Sequence, residues 1–337
     1  MFPLSTQRKH WMYGDEAEIN VLRAESNVKY VTRYGSGIAE NKKYEYFLTP
    51  EDERMLLRKY EVHLREFCKR FQPPMPRYVI GTAFQYFKRF YINNSVMNYH
   101  PKEIMATCVY LACKVEEFNV SISQFIANIK GDREKAADII LNNELLLMEQ
   151  LNFHLAIHNP FRPVEGLLID IKTRCTLNNP ERLRPGIDDF LERVFFTDVC
   201  LLYAPSQIAL AAILHAASKV QENLDSYVTE TLFGVDGQHR LADLIEAVRK
   251  IRSMVKLIDT PPPPKEQLRV LEKKLDKCRN PENNPDSDIY KARLQAMLND
   301  EEEYVYAKIA SESDAHDDSL LKMSKLSSPD VSMTEIE

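Results

Sequence analysis

Four constellations in this 337-residue chain carry residue types at spacings that could do chemistry. Asp188-Asp189-x-x-Glu192 would project carboxylates from a helix, as in magnesium–diphosphate sites for prenyl transfer. Such a site needs a second acidic cluster facing it, and none stands in an obvious place. His154 and His158 have HxxxH spacing, but no HExxH is present and both lie beyond the nearest helix, so the metal reading is none. Phe84-Gln85-Tyr86-Phe87-Lys88-Arg89-Phe90-Tyr91 interleaves rings with bases, as a single-strand nucleic-acid platform does. The neighbouring charge is not basic, which favours a buried helix with snorkelling bases. The fourth constellation is Lys114, which ends the apolar run Val109–Cys113, with Glu144 in the stripe Ile140, Glu144, Leu147, Met148, Leu151.

A charge in an apolar helical face is costly unless something pairs with it. Two readings follow for Lys114 and Glu144: an internal bridge between two helices, or a pair of groups facing an exposed apolar groove. In the groove, the ammonium would donate to peptide carbonyls and the carboxylate would accept from N–H groups at a helix start. Leu111, Val115 and Met148 lie at helical spacing from these charges and would wall a pocket suited to a partner helix. Gly35 and Gly37 alone make no phosphate loop, and neither an HRD-type loop nor a DFG is present, so the chain does not itself transfer phosphate. No cofactor is implied.

The elements that must position these groups are helical. Glycine is scarce, helical spacing recurs, and period-two alternation is hard to find, so the fold class is all-α. Helices are expected near Asp15–Lys29, from Thr49 to the Pro73-Pro74 stop, and over Arg77–Asn93. Others are expected from Pro101, after the S-x-x-Q capping box at Ser121 and Gln124, and over Arg133–Leu151. The chain then begins again, with helices at Val164–Lys172, Ile187–Leu202, Pro205–Val220, near Leu224–Leu232 and at Arg240–Ile258. His100-Pro101-Lys102-Glu103-Ile104 parallels Ala204-Pro205-Ser206-Gln207-Ile208 at an offset of 104. Ala112–Glu117 parallels Ala217–Glu222 at 105, which implies one inserted residue. Two five-helix repeats result.

The expected organisation is 1–48, an N-terminal extension with a helix; 49–158 and 159–259, the two repeats; 260–280, a proline spacer and helix; and 281–337, an acidic, mostly disordered tail. A helical stretch near Tyr290–Met297 is expected within that tail. The tail holds 14 acidic and 5 basic residues, so the rest of the chain is close to neutral and makes no electrostatic demand for nucleic acid. No apolar run reaches membrane-span length, and no CxxC pair occurs among the six cysteines, which read as buried thiols of a reducing compartment.

Leu111-Ala112-Cys113-Lys114-Val115-Glu116-Glu117, followed by Glu144-Leu145-Leu146-Leu147-Met148-Glu149-Gln150-Leu151-Asn152-Phe153, resembles the cyclin box. The resemblance spans about Thr49–Asp259. It implies that Lys114 and Glu144 grip the mobile regulatory helix of a cyclin-dependent kinase, with Leu111, Val115, Met148 and Leu155 seating it. Phe87–Met97, Asn159–Gly166 and Gln7–Trp11 are similar to one branch of that family. Its members are non-catalytic subunits of the kinase that activates other cyclin-dependent kinases and, within TFIIH, phosphorylates the C-terminal repeats of RNA polymerase II. The partners so implied are the kinase catalytic subunit, a RING-finger assembly subunit and the TFIIH core, in the nucleus, without direct nucleic-acid or membrane contact. The alternatives are a Mediator-associated subunit like cyclin C and a DNA-clasping factor of the TFIIB type. The latter would call for a basic face and a zinc ribbon.

Two departures stand out. Where mitotic cyclins carry a Met-Arg-x-x-Leu…Trp substrate-docking patch, this chain has Tyr60, Glu61, Leu64 and Phe67. A buried Arg–Asp pair of mitotic cyclins falls on Glu61 and Lys88, so a structural bridge of reversed polarity is expected there.

Overall fold

A computed structural model describes residues 2–175, 179–232, 238–258, 264–296 and 299. Among these, the chain is helical and contains no strand. Residues 2–280 form one unit. It opens with α1 (Thr6–His10) and α2 (Glu16–Tyr34), capped by the side chains of Ser5 and Asp15. After the short α3 (Lys43–Tyr46), the first repeat comprises α4 (Pro50–Arg70), α5 (Arg77–Asn93), α6 (Pro101–Val115), α7 (Ile122–Ala127) and α8 (Arg133–Gln150). The second comprises α9 (Phe161–Arg174), α10 (Arg184–Val194), α11 (Val199–Leu202), α12 (Pro205–Lys219), a π turn at Tyr227–Thr231 and α13 (Leu241–Leu257). Finally α14 (Lys265–Cys278) folds back onto α4.

Local chemistry sets these boundaries. The Asp52 N–H donates to Thr49 Oγ1 and the Thr49 N–H to Asp52 Oδ2, a reciprocal cap that starts α4 just ahead of Pro50. Ser121 and Gln124 do the same for α7. Each repeat has a central helix. α5 buries nearly every residue from Val79 to Ile92, Lys88 and Arg89 included, so it sits inside. α12 is the second, and its alanines permit close approach: a Cβ added at Gly186 of α10 would sit 2.9 Å from the Ala216 Cβ.

Several elements depart from the sequence expectation. The helix expected over Ile187–Leu202 breaks after Val194. Thr197 Oγ1 donates to the Val194 carbonyl and accepts from the Val199 N–H, satisfying backbone groups in place of the helix ladder. The fourth helix of the second repeat is a single π turn, and α2 runs on to Gly35, whose N–H bonds the Val31 carbonyl. The two third helices need no insertion. α6 and α12 are both 15 residues long and both end at a left-handed residue two positions on, Glu117 and Gln221, so the offset is 104 throughout.

The second unit, from Pro281, has a 3-10 turn at Pro281–Asn283 and a helix over 288–296. Most of the acidic tail, including Ser328-Pro329, lies outside the described residues, as do Met297 and residues 261–263 of the proline spacer. No helix among the described residues is long and apolar enough to cross a membrane. All six cysteines are free, and burial pushes the Cys113 and Cys200 thiols up to about 12.

Candidate functional site

The last turn of α6 places Lys114 at the negative end of the helix dipole. Its ammonium donates to both oxygens of Glu144 on α8, at 2.7 and 2.8 Å, and stands 4.7 Å from the centre of the Tyr110 ring. The internal pair and the exposed groove are therefore not exclusive. The Lys114 side chain is 45 % exposed and that of Glu144 15 %, so the bridge lies in the surface. The structural equivalent of Lys114 in the second repeat is Ser218. Lys219, one position on, pairs with Asp189 of α10 instead.

Around the pair, Val115, Met148 and Leu155 are half-buried at the edge of the core. Leu111 is 3 % exposed, so it floors the site from within rather than walling it. Sequence reasoning missed Leu141, Leu145 and Phe153, which are large apolar residues left exposed on and just beyond α8. α8 already buries Ile140 and Leu147, so it is apolar on two faces, and only one faces this chain's core. The consecutive Leu145-Leu146-Leu147-Met148 carried that signal, because four apolar residues in a row cover more than one helical face. An unpartnered apolar face around an ion pair is suited to an amphipathic helix.

Glu61 and Lys88 meet between α4 and α5 at 2.5 Å, both buried. Asp198 lies 3.6 Å from Lys88 and takes a bidentate pair from Arg23 of α2 at 2.7 and 2.9 Å. Burial alone would raise the Asp198 carboxyl, yet Lys88 and Arg23 together hold it below the usual carboxylate range. Arg58 adds a hydrogen bond to the Phe196 carbonyl and reaches Glu61 at 3.5 Å. This network lines a cleft of about 560 Å³ between the two repeats.

The positions matching the mitotic docking patch do not form an open surface. Tyr60, Glu61 and Leu64 are buried, the Tyr60 hydroxyl meets Glu272 of α14, and Phe67 packs on Phe71 and Phe125. The acidic triad does not converge: Asp188 pairs with Arg77, Asp189 with Lys219 and Glu192 with Lys69. His154 accepts from the Trp11 indole, while His158 lies edge-on to Phe2. The rings of Phe84–Tyr91 are in the core. Among the described residues no three His, Cys, Asp or Glu side chains stand together as metal ligands.

Residues 39–156 match the cyclin N-terminal domain and residues 159–256 the cyclin C-terminal domain. The chain is 47 % identical to cyclin-H of Xenopus laevis over 286 residues, 84 % of this chain and 88 % of that protein. It superposes on a chain of the CAK complex of Chaetomium thermophilum, bound to ATP-γ-S, with a TM-score of 0.74 and 25 % identity, covering 89 % of this chain and 94 % of the other. A chain of the yeast TFIIK (Kin28/Ccl1/Tfb3) complex superposes with a TM-score of 0.60 and 27 % identity, covering 75 % and 99 %.

Proposed function

We propose a function from an established premise: the chain belongs to the cyclin family, in its cyclin-H branch. It is the cyclin subunit of a CDK-activating kinase. It binds a cyclin-dependent kinase and activates it without catalysing a reaction itself. That kinase phosphorylates other cyclin-dependent kinases and, within TFIIH, the C-terminal domain of RNA polymerase II. The Lys114–Glu144 pair in the unpartnered apolar face of α8 is the observation that carries this reading. There the kinase's regulatory helix packs on Val115, Met148, Leu155, Leu145 and Phe153, while Lys114 and Glu144 exchange part of their mutual bonding for its backbone groups.

Activation is a population shift. The chain binds the kinase conformation in which the kinase's own Lys–Glu pair and magnesium site are assembled, and so favours it over the inactive one. The yeast TFIIK neighbour contains Kin28 and Tfb3 beside its cyclin, which supports a kinase subunit and a RING-finger assembly subunit as partners. On this reading the TFIIH core is a further partner, and the assembly works in the nucleus. Nucleic acid and membrane are not direct partners. The repeat boundaries at 48/49, 158/159 and 259/260 belong to this reading.

The test is affinity purification of the tagged full chain with mass spectrometry of the chains that accompany it. Phosphorylation of a polymerase C-terminal repeat peptide and of a second cyclin-dependent kinase is then assayed. Recovery of a kinase that is inactive without the chain is expected. Recovery of none, together with a gel shift on promoter DNA, would instead support the TFIIB-type alternative.

A further inference from the structure

Beyond α8 the chain turns through Asn152 and Phe153, both with left-handed backbones at φ 51 and 55. A bulky aromatic residue holds that conformation only where its surroundings enforce it. Phe153 is 59 % exposed, so its own ring does not supply the enforcement. Part of it is local: the N–H groups of Asn152, Phe153 and His154 bond the carbonyls of Glu149, Met148 and Leu151 and close the end of α8. The segment that follows is restrained from behind. The Tyr86 hydroxyl donates to the Leu155 carbonyl at 2.6 Å, and Arg89 reaches the His154 carbonyl at 3.4 Å, both from α5. The N-terminal segment holds the other side. Trp11 Nε1 donates to His154 Nδ1 at 3.1 Å, and the His158 N–H donates to Gln7 Oε1 at 2.7 Å.

Arg89 is the unexpected member of this group. It is fully buried, and its Nε and Nη2 find no acceptor among the described residues. The Trp11 ring covers it at 5.1 Å. A guanidinium placed so costs stability that a neutral side chain would not. The hydrogen bond it makes runs to the turn, and its ring contact to the segment that holds the turn.

We infer that Trp11, Tyr86 and Arg89 are positioning residues for kinase binding: docked on α5, the N-terminal segment is a strut that aims Phe153 and Leu155. The inference rests on the reading that the Lys114–Glu144 face receives the kinase. It also gives the segment around α1 a task that needs no contact with the kinase, because its bonds end on His154 and His158.

The test uses the full chain and the kinase recovered by the affinity purification above. Amide hydrogen exchange over residues 151–158 is followed in the free chain, and kinase affinity and activity at saturation in the complex. Trp11→Ala should speed exchange over 151–158 and weaken kinase affinity by about tenfold, the scale of one lost anchoring contact, with activity at saturation retained. Trp11→Phe keeps a ring over Arg89 but loses the indole donor, and should restore part of that affinity. Should Trp11→Ala unfold the chain, Tyr86→Phe, which removes only the bond to Leu155, decides by the same two readouts. Unchanged exchange, or faster exchange with unchanged affinity, overturns the strut. The Lys114→Ala, Glu144→Ala double variant separates the underlying reading. It should lose kinase affinity with exchange over 151–158 unaltered, and retained affinity there would refute the kinase face while leaving the exchange result to stand by itself.

Discussion

Lys88 donates to Glu61 across the α4–α5 interface, and the same ammonium lies 3.6 Å from Asp198, the residue that ties α2 to the break between α10 and α11 through Arg23. The bridge is thus one link in a chain of alternating charges, Arg58–Glu61–Lys88–Asp198–Arg23, that joins α2 to both repeats.

That context changes what a charge swap does. Glu61→Lys would set two cations together beside Arg58 in a buried site, and should destabilise the fold by about 3–5 kcal/mol in chemical denaturation. Adding Lys88→Glu restores the pair but brings a carboxylate against Asp198. The double variant should therefore recover part of the loss and fall short of the parent. Strict additivity of the two single losses would show that the pair is not coupled.

The Lys114–Glu144 pair behaves oppositely because it is in the surface. An ion pair with one partner nearly half exposed contributes up to about 1 kcal/mol to stability. Replacing both residues by alanine should shift the melting temperature by a few degrees at most. Kinase affinity should fall about a hundredfold, since each group would be desolvated against the partner's backbone. A large melting shift with unchanged affinity would make the pair a structural bridge alone.

Much of this fold is legible in the sequence, because its helix starts are written in local chemistry. Thr49 with Asp52, Ser121 with Gln124, and Pro101 and Pro205 at first helical positions each act within one turn. The break at Thr197 was not legible. A threonine hydroxyl bonds a carbonyl three residues back equally well in an unbroken helix, and the partner that Asp198 meets just after the break, Arg23, is 175 residues away. The repeat register failed for a related reason. Ala-Ser-Lys and Ala-Cys-Lys align by letter at 105, whereas the caps at Glu117 and Gln221 align at 104, and backbone conformation at a cap leaves little trace in residue type. Lys114 and Glu144 stood out because charges in apolar stripes are rare. Phe153 did not, since its exposure depends on a turn held by Trp11, Tyr86 and Arg89 from distant parts of the chain.

Glu53 makes stability depend on pH. Its carboxyl is buried against α2 and the 95–96 loop, and burial pushes its pKa up to about 7 although Ser95, Asn27 and the Val96 N–H all donate to it. An acid whose pKa is raised by folding is protonated in the folded state where the unfolded chain has released its proton. Stability from this group is therefore lost as pH rises from about 4.5 to about 7, by about 3 kcal/mol across the window. Glu53→Gln keeps the oxygen that Asn27 and Ser95 address. Melting curves at pH 5, 6, 7 and 8 should show that the variant loses less stability with rising pH and is the more stable protein at pH 8. Parallel curves would mean that Glu53 is not the group responsible.

Gly81 tests how the first repeat is joined to the second. It lies on α5 under the segment between the repeats, where Asn159 Nδ2 donates to the Tyr78 carbonyl and to Thr82 Oγ1, whose hydroxyl in turn donates to Glu116. A Cβ at Gly81 would fall 2.4 Å from Asn159 Oδ1 and 3.1 Å from the Phe195 ring, so Asn159 would have to leave its two bonds. Gly81→Ala should therefore destabilise the protein by about 1–3 kcal/mol despite the better helix propensity of alanine, because overpacking and lost hydrogen bonds outweigh the gain. Asn159→Ala removes the obstructing amide. If the clash is the cause, adding Gly81→Ala to that variant should cost much less than adding it to the parent, and an equal cost in both backgrounds would place the effect at Phe195 instead.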